Sequence, residues 1–210
     1  TKAKTGDEIT LSFTASETIG TPSVTFQSGG AAITDSSITY ANTSGNNWTA
    51  KYTTDSNDTE GSITYSIAFS DIAGNAGTAV TSGSGSVTFD KTVPTITGVV
   101  LAGNNTTIAV TFSEAVYNTN SGSGSLEVGD FEFSLSGGNA TLSSTTPSTI
   151  SIVGNEYTLG ISLSGTPNGS ETLTVNPVSS SIYDAAGNEA STSQSNNTIS
   201  LNDQLAPTIT

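Results

Sequence analysis

Apolar and polar residues alternate with a period of two along most of the chain, the pattern of strands that bury one face and expose the other. In the N-terminal half the alternating sets are Ile9-Leu11-Phe13, Val24-Phe26, Trp48-Ala50-Tyr52, Ile63-Tyr65-Ile67-Phe69 and Val87-Phe89. In the C-terminal half they are Ile108-Val110-Phe112, Phe131-Phe133-Leu135, Ile150-Ile152, Tyr157-Leu159-Ile161-Leu163, Leu173-Val175 and Ile199-Leu201. Turn-forming clusters separate them: Ser28-Gly29-Gly30, Ser44-Gly45-Asn46-Asn47, Gly103-Asn104-Asn105, Gly137-Gly138-Asn139 and Pro167-Asn168-Gly169. No helical period of useful length interrupts this, so the chain is expected to be all-β.

The chain also repeats itself. DIAGN at 71–75 returns as DAAGN at 184–188, and each aspartate is followed 19 positions later by another, Asp90 and Asp203. Four residues beyond those stand Pro94 and Pro207, each opening a Pro-Thr-Ile-Thr tetrapeptide. LSFTASETI (11–19) matches AVTFSEAV (109–116) at its Phe and its Ser-Glu pair, which makes Glu17 and Glu114 equivalent. The expected division is a first unit over 1–92, a second over 93–205 and the start of a third over 206–210. If Pro-Thr-Ile-Thr opens each unit, the first unit lacks its opening strand and the chain is a fragment of a longer array. About seven short strands per ~100 residues predicts two tandem immunoglobulin-like β-sandwiches.

Composition narrows the chemistry. The chain has no cysteine or histidine, and 18 carboxylates against four lysines give a net charge of −14. Disulfides, thiolate metal sites and imidazole proton shuttles are excluded, and nucleic acid or an anionic membrane surface is a poor partner. No apolar run is long enough to cross a bilayer. What remains is oxygen chemistry, and hard cations are the natural partners.

Thr-Phe-Ser-Glu on an early strand, Asp-x-Ala-Gly-Asn after a late one and an acidic residue leading into x-Pro-Thr-Ile together resemble the bacterial immunoglobulin-like (Big-type) tandem repeats of large surface adhesins. The resemblance covers nearly the whole chain. It implies a non-enzymatic extender module of an extracellular or cell-surface protein, with neighbouring repeats as partners and Ca²⁺ at or near module junctions.

Topology gives the same carboxylates a place. In such a sandwich the loop after the second strand, holding Glu114, and the loop between the last two strands, holding Asp184, share a pole. The last strand of the preceding unit ends at Asp90, and the residues between Asp90 and Pro94 reach at most about 10 Å. Asp90, Glu114 and Asp184 are therefore expected to converge, with Asn188 either adding an oxygen or only bonding its turn. Ca²⁺ takes six to eight oxygens in flexible geometry, so it is the expected cofactor. Glu17 and Asp71 are the counterparts at the N-terminal pole, and Asp203 is the counterpart of Asp90.

Other features carry plainer readings. Asp55, Asp58 and Glu60 form a second, weaker cation candidate, while Glu127, Asp130 and Glu132 read as a charged outer surface. Trp48 alternates with Ala50 and Tyr52 and reads as core rather than as a sugar platform. The second unit holds no lysine and so cannot form an internal Lys–Asn crosslink. The alternative function is a ligand-binding adhesion module for a glycan or host protein; a paired-carboxylate glycosidase lacks any indicated cleft. The fragment is expected to be monomeric.

Overall fold

The computed structural model describes residues 1–35 and 37–209; Ser36 and Thr210, the last residue of the expected third unit, lie outside the described residues. The chain forms two compact units, Thr1–Lys91 and a second beginning at Thr92. Each is an immunoglobulin-like β-sandwich.

The first unit contains β1 (Lys2–Ala3), β2 (Glu8–Thr14), β3 (Ser23–Ser28), β4 (Ala31–Ala32), β5 (Thr39–Ser44), β6 (Asn47–Thr53), β7 (Gly61–Ala68) and β8 (Thr88–Phe89). One sheet has the order β1-β8-β7-β3-β4 and the other β2-β6-β5. Strand β1 runs parallel to β8, with Lys2 opposite Thr88 and Ala3 opposite Phe89. Alternation decides what is buried: Val24 and Phe26 on β3 and Trp48, Ala50 and Tyr52 on β6 point inward, and the Phe26 and Tyr52 rings lie 4.7 Å apart.

The second unit contains β9 (Ile96–Leu101), β10 (Thr107–Phe112), β11 (Phe131–Ser136), β12 (Thr141–Leu142), β13 (Ile150–Val153), β14 (Glu156–Gly160), β15 (Leu163–Ser164), β16 (Thr172–Pro177) and β17 (Thr198–Ser200). Its sheets have the orders β13-β14-β10-β9 and β11-β16-β17, with β12 paired to β15 beside them. Ile108, Leu159, Leu173 and Val175 are fully buried between the sheets, and Phe112, Phe131 and Tyr157 form an aromatic cluster with centroids 5.6 to 6.3 Å apart. Each such side chain contributes roughly 1.5–3 kcal/mol of burial free energy.

Two expectations need correction. The Tyr157-to-Leu163 alternation is not one strand: β14 stops at Gly160, and β15 joins a different partner. Gly160 exchanges backbone hydrogen bonds with Ser148 and Thr149, and a Cβ there would collide with both of their hydroxyls. The close approach turns the chain out of the sheet. Asp130 does not lie on the solvent face of β11. It ends a short 3₁₀ turn, Val128–Asp130, and its half-buried carboxylate accepts the Glu127 N–H at 2.7 Å. Burial raises its pKa.

Candidate metal centre

Within the second unit the two acidic loops are fixed against each other by backbone. After β10, Ser113 donates its N–H to Thr95 O at 2.8 Å and accepts the Thr95 N–H on Oγ at 3.1 Å, which anchors the residue before Glu114. Buried Val116 follows, and Tyr117 forms an antiparallel bridge with Tyr183, the residue before Asp184. One carboxylate oxygen of Glu114 and one of Asp184 thereby lie within 4.8 Å of each other.

Asp184 is fully buried and organises its own turn. Oδ1 accepts the N–H groups of Ala186 and Asn188, both at 2.8 Å, and Oδ2 accepts Asn188 Nδ2 at 2.8 Å. The Asp184 N–H donates to Asn188 O at 3.0 Å, and Gly187, at φ +89°, supplies the left-handed residue that closes the loop. Asn188 thus serves the turn through its amide nitrogen.

The electrostatics of this pair are unusual because no cationic side chain exists from Thr92 onward. Two carboxylates this close, one of them withdrawn from water, repel by on the order of 3 kcal/mol at the effective dielectric of a protein surface. Neither a lysine nor an arginine of this unit can offset that. An oxygen-loving cation can, and the donor set matches the hard-ligand preference of Ca²⁺.

The first unit repeats the turn with less cover. Asp71 accepts Asn75 N on Oδ1 at 2.8 Å and Asn75 Nδ2 on Oδ2 at 2.7 Å, and an Ile19–Asp71 bridge joins the loop that carries Glu17. Asp71 is half-buried, and the Asn75 amide, followed by the backbone, holds its carboxyl below the ordinary range. Glu17 is exposed. Asp90 follows β8, and its Oδ2 lies 2.7 Å from Lys2 Nζ. Asp203 is exposed and accepts the Leu205 N–H at 2.8 Å.

Asp55, Asp58 and Glu60 lie in one loop rich in protein hydrogen-bond donors. Buried Asp58 accepts Thr34 N at 2.7 Å and Asp55 N at 2.9 Å, while Asp55 Oδ1 accepts both nitrogens of Asn57 at 2.8 Å. Lys91 Nζ donates to Ser56 O and Asp58 O at 2.7 and 2.8 Å, and Glu60 accepts the Lys91 N–H. A protein ammonium already closes this loop. Lys51 lies on the outward side of β6 and pairs with Glu8 at 2.7 Å.

Sequence reasoning passed over Glu171. It is fully buried, and its carboxylate accepts the N–H groups of Asn139, Ala140 and Asn168 at 2.8 to 3.2 Å, tying two loops together. These backbone donors, Ala140 first, outweigh burial and bring its pKa down to about 2. The signal was present: Glu171 stands in phase with inward-facing Leu173 and Val175.

No protein-family model matches the sequence, and no curated protein matches it. Among solved structures the chain is similar to the titin I-band fragment I67–I69, at 12% identity and a TM-score of 0.40, over 96% of this chain and 60% of that one. It also resembles titin domains Z1Z2 in complex with telethonin (14% identity, TM-score 0.30, 97% and 91% covered) and tandem Ig repeats of Dlar (11%, 0.26, 87% and 87%). At these scores the likeness carries no argument of its own, and the fold rests on the strand orders above.

Proposed function

We propose that this chain is a structural extender, a stretch of tandem sandwiches in a bacterial cell-surface or secreted adhesin, stiffened by Ca²⁺ at the joint between repeats. The observation that carries the reading is the Glu114–Asp184 pair, two carboxylates with oxygens within 4.8 Å in a unit without a cationic side chain. Asp184 is held rigidly by its own turn, so the order needed for binding exists before the ion arrives.

The remaining ligand follows from the covalent chain. Asp90 stands four residues before Pro94, close enough along the backbone to be drawn to a cation held by Glu114 and Asp184. Binding an ion with ligands from both sides of the linker limits bending there. A site of this donor set is expected to bind Ca²⁺ with a dissociation constant of about 10⁻⁴–10⁻³ M, the range of extracellular calcium modules.

Calorimetric titration with Ca²⁺, paired with X-ray scattering, tests this. Expected are saturable binding, a higher melting temperature by linkage and a narrower distribution of shapes. Identical melting and scattering in millimolar Ca²⁺ and in chelator would refute the mechanism.

A further inference from the structure

Each unit contains a turn in which a buried carboxylate gathers backbone N–H groups, and the two turns match bond for bond. In the first unit Asp58 accepts the N–H of Asp55, three residues before it, at 2.9 Å and the N–H of Thr34, beyond the Gly29-Gly30 turn, at 2.7 Å. In the second, Glu171 accepts the N–H of Asn168, three residues before it, at 3.1 Å and those of Asn139 and Ala140, beyond Gly137-Gly138, at 2.8 and 3.0 Å. The residues that open the turns correspond as well: Asp55 Oδ1 accepts the Asn57 N–H at 2.8 Å, and Asn168 Oδ1 accepts the Ser170 N–H at 3.1 Å. Asn168 stands where the first unit has an aspartate.

Asn168 is also the one asparagine in the sequence that precedes a glycine. That neighbour matters because a backbone nitrogen can attack the side-chain amide of the residue before it, and a Cβ on the attacking residue hinders the approach. Gly169 is exposed and sits at φ +80°, and its N–H finds no acceptor among the described residues. The carbonyl under attack is already polarised, since the Ser170 N–H on Oδ1 is placed to stabilise the negative charge that develops there. Asn168 is only half-buried, so water reaches the turn.

We propose that Asn168 is a self-modification site, at which the side-chain amide is lost and a carboxylate takes its place. The Gly169 nitrogen gives up its proton to solvent hydroxide and bonds to Asn168 Cγ, and the electron pair of the carbonyl moves onto Oδ1. As that pair returns, the Cγ–Nδ2 bond breaks and ammonia leaves with a proton from water. The five-membered imide then takes up water at one of its two carbonyls. Breaking the bond from Cγ to the Gly169 nitrogen gives aspartate in a normal backbone, and breaking the bond from the Asn168 backbone carbonyl gives isoaspartate, whose backbone runs through Cγ. The net change exchanges water for ammonia, with nothing oxidised or reduced.

The consequence depends on residue 204. In the first unit the carboxylates of the turn lie beside an ammonium, Lys91 Nζ, which donates to Ser56 O and Asp58 O at 2.7 and 2.8 Å. Lys91 follows Asp90 as Gln204 follows Asp203, but Gln204 contributes neutral bonds, from N to Pro167 O at 2.9 Å and from Nε2 to Gly103 O at 3.2 Å. A carboxylate at position 168 therefore joins Glu171 with no cationic side chain in the unit to offset it. The turn is stable as the amide and weakened as the acid, so the modification loosens the loops that Glu171 ties together. The inference is independent of the calcium reading, since neither Asn168 nor Gly169 is a proposed ligand.

Peptide mapping by mass spectrometry of the full chain, held in mildly alkaline buffer with chelator, tests the chemistry. Conversion at Asn168 is expected to be about tenfold or more faster than at any other asparagine, because every other one precedes a residue with a Cβ. Isoaspartate is expected beside aspartate at that position, since the imide opens both ways. Conversion no faster than elsewhere, or aspartate without isoaspartate, overturns the proposal. The consequence is tested with Asn168→Asp, which is expected to lower the melting temperature of the second unit by several degrees at neutral pH. Adding Gln204→Lys is expected to recover most of that loss and to raise the variant by more than it raises the parent. An unaltered melting temperature, or a loss that Gln204→Lys does not reduce, overturns the effect assigned to the new charge.

Discussion

Tyr117 and Tyr183 face each other across an antiparallel bridge, with Tyr117 N–H donating to Tyr183 O at 2.7 Å and Tyr183 N–H donating to Tyr117 O at 2.8 Å. These two bonds, rather than any side-chain contact, set the spacing of the acidic loops. The carboxylates of Glu114 and Asp184 are neighbours because their backbones are.

Glu114→Gln separates ligand chemistry from folding. It removes a negative charge from the pair while leaving the Asp184 turn intact, so the metal-free protein is expected to melt no lower than the parent and the Ca²⁺ affinity to fall about tenfold or more. Titration calorimetry and melting in chelator read the two effects. Unaltered affinity would remove Glu114 from the ligand set.

The two Asp-Ala-Gly-Asn-type turns are expected to differ in strength. Asp184 is buried beside a second carboxylate, whereas Asp71 is half-buried and Glu17 is exposed. Asp184→Asn should therefore abolish the tighter phase of a Ca²⁺ titration, and Asp71→Asn should leave it within about twofold. A titration in which both substitutions weaken the tight phase equally would count against unequal sites.

Glu171 makes the second unit acid-sensitive. Its folded pKa, about 2, lies below the ordinary 4.5, so its stabilisation is complete above the ordinary value and is lost as pH falls from there toward 2. Glu171→Gln cannot accept all of the loop N–H groups and should lower the melting temperature at pH 7. The gap between variant and parent should narrow as pH drops through that window, as followed by circular dichroism; a constant gap would show that the charge is not what matters.

Tyr52 is 2% exposed, and its hydroxyl has no hydrogen-bond partner among the described residues. Burial, then the Asp58 charge, pushes its pKa up to about 12. Removing an unsatisfied buried hydroxyl while keeping the ring should be neutral or stabilising by up to about 1 kcal/mol. Tyr52→Phe tests this by urea denaturation, and a loss above about 1 kcal/mol would reveal a bond the hydroxyl makes.

The sandwich class was legible because inward positions such as Val24-Phe26 and Leu173-Val175 announce themselves by alternation alone. Strands made of polar residues were not. Thr39–Ser44 forms β5 as the first arm of a hairpin with β6 across the Gly45-Asn46 turn, but its side chains are polar and mostly exposed, so no apolar alternation marks it as a strand. Glu114 and Asp184 were visible as repeats, but Asp184's complete burial comes from the packed loops around it. The anchoring role of Glu171 was not legible because it depends on N–H groups of Asn139 and Ala140, 32 and 31 residues away in sequence, which no local pattern brings to it.

The parallel pairing of β1 with β8 has a mechanical meaning. Because the strands run the same way, the chain enters β1 at one end of the pair and leaves β8 at the other. Tension along the polypeptide loads the pair in shear, so the Thr88 N–H to Thr1 O bond, the Asp90 N–H to Ala3 O bond and the Lys2–Asp90 ion pair resist together rather than opening in turn. Among the described residues the second unit has no parallel pair, so the two sandwiches should yield to a pull at different forces.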